Sequence, residues 1–154
     1  MPAKTPKLSA TSVPATGERD LKLADFSGRP LVVYFYPRDN TPGCTRQGQG
    51  FRDLYDQFKA LDCEIVGISR DKVASHEKFA AKHEFPFPLL ADTEEKLCRE
   101  FDVIKEKNMY GKKVMGIERS TFLFNADGRL AREWRKVRVP GHVEEVLEAV
   151  RELD

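Results

Sequence analysis

The sequence predicts an α/β fold in which a central mixed β-sheet is flanked by helices. Over residues 21–101, short apolar runs typical of buried strands alternate with segments of helical periodicity. Beyond them, two strand-like runs flank Asp127-Gly128, a dipeptide typical of hairpin turns, and a last helical segment follows. Strand–helix–strand units favour parallel pairing and a hairpin adds antiparallel strands, so both directions are expected in one sheet.

The strands predicted in the first half of the chain are short and apolar. After a polar N-terminal segment, residues 21–26 are predicted to form a short strand, and residues 27–30 (SGRP) a turn. Residues 31–36 (LVVYFY) form the central strand, because a continuous apolar run is typical of a strand that is buried on both faces. A second strand covers residues 63–69, and a short one covers residues 87–90.

Three helices are predicted to connect these strands. The first begins near Pro42 and carries an apolar stripe with helical spacing at Phe51, Leu54, Tyr55 and Phe58. The second covers residues 74–84, and the third runs to about residue 101. Asp92 and Glu95 have the spacing of a capping box, which marks the start of the third helix.

The last third of the chain completes the predicted sheet. Residues 103–118 are polar and are predicted to form a loop, whereas residues 120–125 and 130–137 are predicted to pair as a hairpin. A C-terminal helix is indicated by the spacing of Val143, Val146, Leu147, Val150 and Leu153. By analogy, this order of elements matches a thioredoxin-like fold, and the length suits one domain over residues 1–154.

The composition is typical of a soluble globular protein. Charged residues make up 33% and hydrophobic residues 40% of the chain, and 26 Lys and Arg nearly balance 25 Asp and Glu. This balance argues against nucleic acid or an anionic membrane as a partner. Because no apolar stretch reaches transmembrane length and residues 1–20 lack an apolar leader core, the reducing cytoplasm is the expected compartment.

The cysteines and histidines do not form a disulfide framework or a metal motif. There are three of each, without a Cys-x-x-Cys pair, which disfavours a zinc ribbon and a thioredoxin-type dithiol. Cys63 begins an apolar strand and Cys98 lies between helical core positions, so both are predicted to be structural. His76 and His83 are expected to be solvated at the surface, since no third ligand stands near them in the sequence.

Cys44 is the candidate catalytic residue. It follows the central strand, with Thr41 as a predicted helix N-cap and Pro42 at the first helical position, so Cys44 falls at the third. Free N–H groups and the positive end of the helix dipole favour a negative charge there, so this thiol is expected to ionise more easily than a free cysteine. Because the thiolate is the nucleophile, this position favours covalent catalysis over an inert buried cysteine.

Two glycines early in the same helix allow two interpretations. Gly48 and Gly50 each cost roughly 0.8–1 kcal/mol relative to alanine inside a helix, so the segment that holds Cys44 could unwind cheaply. Alternatively, a close packing contact leaves no room for side chains at these positions.

The segment around Cys44 resembles a known family. The pattern Pro37-x-x-x-Thr41-x-x-Cys44 resembles the active-site signature of peroxiredoxins, and residues 34–45 (YFYPRDNTPGCT) are similar to the peroxiredoxin Q subfamily, also called bacterioferritin comigratory proteins. The resemblance extends from about residue 20 onward through residues 51–53 (FRD), 66–69 (VGIS), 87–92 (FPLLAD) and 116–122 (GIERSTF).

The resemblance implies a role for each residue of this site. Cys44 would be the peroxidatic cysteine, which attacks a peroxide oxygen and becomes a sulfenic acid. Thr41 would orient a peroxide oxygen, Pro37 would shape and shield the pocket, and Arg119 would stabilise the thiolate and donate to the peroxide. Trp134 is expected to pack in the core or on the sheet rather than to contact substrate.

The implied activity is that of a thiol-dependent peroxidase in antioxidant defence. It would reduce hydrogen peroxide and organic hydroperoxides without a bound cofactor, and thioredoxin, glutaredoxin or a small thiol would recycle it. Nothing in the sequence indicates a large apolar interface, so a monomer or weak dimer is expected. The alternative is a redox sensor or holdase that uses Cys44 as a switch without turnover.

The chain departs from the subfamily at the positions of the resolving cysteine. Gln49 stands five residues after Cys44, and Ala80 occupies the alternative position on the next helix; the subfamily's usual glutamate is replaced by Gln47. Three possibilities remain open: a one-cysteine enzyme, resolution by Cys98 or Cys63, or an altered version of a two-cysteine parent.

Overall fold

The central strand connects the two hydrophobic cores of the molecule. The structure is a computed structural model that describes residues 7–153, apart from the side chain of Met109. Its strands are β1 (Val13–Ala15), β2 (Arg19–Leu21), β3 (Leu31–Phe35), β4 (Glu64–Ser69), β5 (Leu89–Ala91), β6 (Ile104–Met109), β7 (Lys112–Ile117), β8 (Ser120–Phe124) and β9 (Leu130–Trp134). Its helices are a 3₁₀ turn (Leu23–Phe26), α1 (Pro42–Asp53), α2 (Tyr55–Ala60), α3 (Val73–His83), α4 (Lys96–Glu100) and α5 (His142–Arg151).

Seven of these strands form one mixed sheet, as the sequence predicts. Their order is β2-β1-β5-β4-β3-β8-β9, with β3, β4 and β5 parallel and the other pairs antiparallel. The parallel strands end at the same edge of the sheet, which is the edge where α1 begins. Open α/β sheets place their ligand sites at this edge.

Side chains of β3 alternate between the two cores. Val32 and Tyr34 pack with residues of α1, α2 and α5, whereas Leu31, Val33 and Phe35 pack with α4 and the 3₁₀ turn on the opposite face. All five residues are at most 1% exposed, which explains their unbroken apolar sequence.

The N-terminal segment differs from the prediction. The strand expected at residues 21–26 contains only Leu21, because Leu23–Phe26 forms a 3₁₀ turn. Two short strands, β1 and β2, pair antiparallel before it, and Ala15 of β1 pairs with Leu90 of β5. Val13 and Ala15 are buried and alternate with exposed Pro14. This alternation is typical of a strand, but three residues in a polar segment are too few to predict one from the sequence.

The prediction of a loop at residues 103–118 is wrong. This segment forms a hairpin of β6 and β7, joined by Tyr110 and Gly111 with φ of 53° and 77°. Two positive φ values are typical of the tight turns that join hairpin strands. Among the described residues, the hairpin pairs with no strand of the main sheet, so its strands need little apolar character, and their polarity indicates exposure rather than a loop.

The first predicted helix is divided in two. Leu54 adopts φ −100° and ψ 5°, which ends α1, and α2 begins at Tyr55. The predicted apolar stripe still faces the core, since Phe51 and Phe58 are fully buried.

The predicted capping box at Asp92 and Glu95 does not form. Glu95 adopts the left-handed region with φ 61°, and α4 begins only at Lys96. Asp92 still supports this helix, because its Oδ2 accepts a hydrogen bond from the backbone N–H of Cys98 at 2.8 Å. In the described part of the chain, no helix is both long enough and apolar enough to cross a membrane.

Candidate active site

Cys44 lies in the first turn of α1, where the sequence places it. Thr41 occupies the N-cap position with an extended backbone, and the first helical bond runs from the Thr45 N–H to the Thr41 carbonyl at 2.8 Å. The N–H groups of Gly43 and Cys44 therefore have no acceptor within the helix. Cys44 is only 2% exposed, so charge on its sulfur is stabilised by these fixed dipoles more than by water.

Arg119 reaches Cys44 from the strand connection 75 residues away in the sequence. Its Nη2 donates to the Cys44 Sγ at 3.3 Å, and its Nη1 donates to Gln47 Oε1 at 2.6 Å. A Cβ atom at Gly43 would lie 3.1 Å from the same Nη2, so a glycine at this position leaves room for the guanidinium. This fork holds a fixed cation against the sulfur.

The backbone around Arg119 is held from three sides. The Glu118 N–H donates to the Val103 carbonyl at 2.7 Å, and the Val137 N–H donates to the Arg119 carbonyl at 2.9 Å. The Lys107 ammonium on the hairpin donates to the carbonyl of Ile117.

Lys107 was not singled out from the sequence. Its pKa is lowered by burial and by the charges of Arg119 and Arg70, against an opposing effect of Cys44. This pattern of influences indicates that the ammonium belongs to the electrostatic surroundings of the site. The polar sequence of residues 103–118 offers no signal for it, since its neighbours in space are distant in the chain.

Thr41 and Pro37 precede Cys44 in the chain, and the predicted N-cap Thr41 occupies that position without capping the helix through its hydroxyl. It donates instead to the Arg38 carbonyl at 2.9 Å, which fixes the turn before α1. Pro37 is half-buried, two residues after the end of β3. Both residues therefore lie in the short connection that carries the chain from β3 to Cys44.

A buried polar network fixes the connection between β3 and α1. Asp39 accepts hydrogen bonds from the Tyr36 hydroxyl at 2.6 Å and from the Ser75 hydroxyl at 2.7 Å. Its Oδ2 also lies 2.7 Å from Nδ1 of His76, whose Nε2 lies 3.0 Å from the Leu90 carbonyl. Burial by itself would raise the pKa of Asp39, but the hydrogen bonds and charge of His76, with those of Tyr36 and Ser75, outweigh it and lower that pKa.

The prediction that His76 is solvated is wrong, because this side chain is 0% exposed. A sequence signal existed, since His76 lies three residues before Phe79 on the inner face of α3. His83 is half-buried rather than solvated.

Asp39, Asp71 and His76 also bring potential metal ligands within 4.8 Å of one another. Hydrogen bonds account for this cluster. Asp71 Oδ2 accepts from the Asp39 N–H at 2.8 Å and from the Ser69 hydroxyl at 2.6 Å, and the remaining acceptors face the donors described above. The cluster therefore orders the connection before Cys44.

Neither of the other cysteines lies near Cys44. All three are free and buried. Cys63 precedes β4, whose first residue Glu64 pairs with Leu31 at the start of β3, whereas Cys44 follows the end of β3. The five residues of β3 span about 13 Å. Cys63 and Cys44 lie beyond opposite ends of this strand, whereas a disulfide needs Cα atoms within about 7 Å of each other.

Cys98 belongs to the core on the opposite face of the sheet from Cys44. Burial and the Asp92 carboxylate raise the pKa of Cys98 far above its ordinary range. Burial and the charge of Glu64 raise the pKa of Cys63 to about 12. Both thiols are therefore buried groups that stay protonated at neutral pH.

The two positions of the family's resolving cysteines lie between α1 and α3. Gln49 Nε2 lies 3.5 Å from His83 Nδ1, and Ala80 packs against the core cluster that contains Cys44. Beside them, a Cβ atom at Gly48 would lie 2.4 Å from the Phe85 ring.

Of the two interpretations of the glycines, close packing is thus the one observed. A Cβ atom at Gly50 would likewise lie 2.9 Å from Val143 Cγ2. Trp134 also packs as predicted, edge-on to His142 with ring centroids 5.6 Å apart and against the same core.

Known proteins share this sequence and fold. The model of the AhpC/TSA family matches residues 3–133. Peroxiredoxin Bcp of Xanthomonas campestris is 52% identical over 136 residues, which cover 88% of this chain and 85% of that protein. Peroxiredoxin Bcp of Bacillus subtilis is 50% identical over 133 residues, which cover 86% of this chain and 85% of that protein.

Solved structures agree with these relatives. A structure of the bacterioferritin comigratory protein of Xanthomonas campestris, described for its alkyl peroxide reduction activity, superposes with a TM-score of 0.89 at 49% identity and covers 94% of this chain and 92% of that one. A peroxiredoxin 6 mutant of Arenicola marina, at 19% identity, shares the fold with a TM-score of 0.82 over 96% of this chain and 72% of that one. The thioredoxin-like fold is therefore confirmed. The chain belongs to the AhpC/TSA family, in its peroxiredoxin Q or Bcp branch, and is a thiol peroxidase.

Proposed function

We propose that Cys44 is the peroxidatic cysteine and that it reduces hydrogen peroxide and organic hydroperoxides in a one-cysteine cycle. The observation that carries this assignment is the 3.3 Å contact between Arg119 Nη2 and Cys44 Sγ at the start of α1. Organic hydroperoxides are included because the Xanthomonas campestris relative is described for alkyl peroxide reduction.

In the first step, the Cys44 thiolate attacks one peroxide oxygen. A sulfur–oxygen bond forms and the oxygen–oxygen bond breaks, so Cys44 is oxidised to a sulfenic acid and the peroxide is reduced. The leaving oxygen takes a proton and departs as water or an alcohol. The Arg119 guanidinium and the free N–H groups of Gly43 and Cys44 stabilise the negative charge that develops on that oxygen.

Thr41 and Pro37 position the peroxide. The Thr41 hydroxyl hydrogen is used by the Arg38 carbonyl, so its oxygen is free to accept from the peroxide O–H. Pro37 and Tyr36 exclude water on the side of the central strand. Alignment of the reacting atoms in this way contributes to the rate because it removes the entropy of bringing them together.

The second step needs a thiol from outside the chain. Cys63 lies at the opposite edge of the sheet and Cys98 on its opposite face, so neither can resolve Cys44 in the folded protein. We assign recycling to thioredoxin, glutaredoxin or a small thiol, whose sulfur attacks the sulfenic acid and releases water. A second thiol then reduces the mixed disulfide and restores Cys44.

We further propose that residues 1–154 act as one domain in the reducing cytoplasm, as a monomer or weak dimer. The single sheet shared by both cores supports one domain. Three free, buried cysteines support a reducing compartment, which cell fractionation would test.

The test is peroxide-dependent thiol consumption by the protein and by Cys44→Ser. We expect many turnovers with the unchanged protein and none with Cys44→Ser, while Cys63→Ser leaves turnover nearly unchanged. Consumption that stops at one equivalent of peroxide would contradict the proposal and favour the redox sensor or holdase.

A further inference from the structure

We propose that the β6–β7 hairpin, together with its Tyr110-Gly111 turn, is the docking surface for a protein thiol reductant whose reactive cysteine is surrounded by acidic and apolar surface. The proposal rests on the one-cysteine cycle described above, because that cycle requires an external thiol to approach Cys44.

The hairpin displays the exposed large apolar side chains of the molecule. Tyr110 is 99% exposed, Met115 56% and Val114 38%, and no other large apolar side chain is exposed in the part of the chain that the structure describes. Because successive side chains of a strand point to opposite faces, Val114 shares one face of the hairpin with Lys112, and Met115 lies on the other face. Single exposed apolar residues are ordinary on a protein surface, but an exposed tyrosine and valine with a lysine at the tip of one hairpin indicate an interaction site.

The hairpin is also strongly basic. Residues 104–117 contain four lysines and one glutamate, which gives this segment a net charge of +3 in a chain whose total is +1. Lys105 pairs with Asp102 at 3.2 Å, and Lys113 lies 3.6 Å from Glu106. Within the described residues, Lys112 has no carboxylate within 4.0 Å, so its charge is available to a partner.

The base of the hairpin lies beside Arg119, which contacts Cys44. β7 ends two residues before Arg119, and the Lys107 ammonium joins the hairpin to that end through the Ile117 carbonyl. Arg70, the residue after the carboxyl end of β4, donates from Nη2 to the Met115 carbonyl at 3.4 Å. From this base the two strands of six residues extend for roughly 17 Å, so a folded protein that brings a thiol to Cys44 beside Arg119 has the hairpin next to it to contact.

Charge complementarity favours an acidic protein over a second copy of this chain. A two-fold contact would place the same basic patch against itself, and like charges at distances under the Debye length of about 8 Å repel. An acidic partner gains attraction and faster encounter from the same lysines. The apolar area is small, which suits the brief contact of an electron-transfer complex.

The test separates docking from chemistry by changing the reductant. Peroxidase rates are measured with a thioredoxin system, a glutaredoxin system and dithiothreitol, for the unchanged protein and for Lys112→Glu/Tyr110→Ser. We expect the variant to raise KM for the protein reductant at least fivefold, and added salt to raise KM in the unchanged protein more than in the variant. Turnover with dithiothreitol should stay within twofold, because neither side chain touches Cys44.

Arg129→Glu is the matched control for charge. Arg129 is exposed in the β8–β9 turn, at the edge of the sheet opposite Cys44, and its replacement makes the same charge change as Lys112→Glu. It should leave KM for each reductant unchanged.

Three outcomes would overturn the docking surface while leaving the peroxidase intact. The first is an unchanged KM in the hairpin variant. The second is turnover with dithiothreitol but with neither protein reductant. The third is a dimer in solution that Tyr110→Ser dissociates, which would make the hairpin an interface between copies. Loss of dithiothreitol turnover in the unchanged protein would instead contradict the proposed function itself.

Discussion

The Arg119 guanidinium lies 3.3 Å from the Cys44 sulfur through Nη2 and 2.6 Å from Gln47 through Nη1. Gln47 stands where the resemblance implies a glutamate, and its side chain makes the partner of the guanidinium neutral. Within the described residues, no carboxylate lies within 4.0 Å of Arg119, and Gln47 Nε2 is buried without a hydrogen-bond partner. The charge of Arg119 is therefore directed at the sulfur rather than shared with an acidic side chain.

Arg119→Lys should impair catalysis far more than folding. Lysine keeps the charge but cannot donate to Cys44 and Gln47 at once from a planar fork. Loss of one hydrogen bond to a charged group costs roughly 1.5–3 kcal/mol, which corresponds to a loss of roughly ten- to a hundredfold in kcat/KM for peroxide. Steady-state kinetics would measure this loss, with the exposed Arg132→Lys as control. A variant with near-normal turnover would show that Arg119 has no catalytic role.

Cys44 should be the first thiol to react with an alkylating reagent at neutral pH. Burial raises the pKa of Cys63 to about 12 and that of Cys98 further still, so both remain protonated thiols in the folded protein. Peptide mapping after brief treatment with iodoacetamide would give the order of reaction. Faster labelling of Cys63 or Cys98 than of Cys44 is incompatible with the assignment.

One equivalent of peroxide should convert Cys44 to a sulfenic acid without forming a disulfide. No partner lies within reach, because the sheet separates Cys44 from Cys98 and the length of β3 separates it from Cys63. A dimedone-type probe should trap the product, and excess peroxide should oxidise it further. Mass spectrometry of the non-reduced protein is decisive: rapid loss of two hydrogens mapped to Cys44 and either other cysteine would identify a resolving cysteine.

Gly48→Ala should destabilise the protein. The new Cβ atom would lie 2.4 Å from the Phe85 ring, which is stacked on Phe87 with centroids 5.3 Å apart and cannot easily move. Overpacking costs about 1–3 kcal/mol, whereas the better helix propensity of alanine returns roughly 0.8–1 kcal/mol. Urea unfolding should therefore show a lower midpoint. A higher midpoint would mean that the glycine only weakens the helix.

Asp39→Asn should remove part of the acid sensitivity of the fold. The pKa of Asp39 is lowered in the folded state from its ordinary value of 3.8. Its contribution to the free energy of unfolding is complete above that value and is lost as the pH falls through the lower folded pKa. The stability difference between the two proteins should thus be largest above pH 4 and shrink below it. Urea unfolding from pH 7 to pH 3 would measure this, and a difference independent of pH would contradict it.

The sequence by itself determined the features that depend on neighbouring residues. The apolar run of β3 predicted a strand buried on both faces, and Thr41-Pro42 predicted the helix start that presents Cys44. Hydrophobic periodicity and helix capping act within a few residues, so they are visible in a linear sequence.

Only the tertiary structure decided which polar groups meet. The sequence predicted a solvated His76, but its side chain is buried against Asp39, 37 residues away. Arg119 likewise contacts Cys44 although 75 residues separate them in the sequence. Lys107 donates to the Ile117 carbonyl near the site from a hairpin whose polar sequence had predicted a loop. These contacts depend on the register of β3 against β8 and on the packing of α3 on the sheet. A polar side chain carries no local sign of its partner, because its burial is stabilised by an acceptor or a donor that the fold alone brings to it.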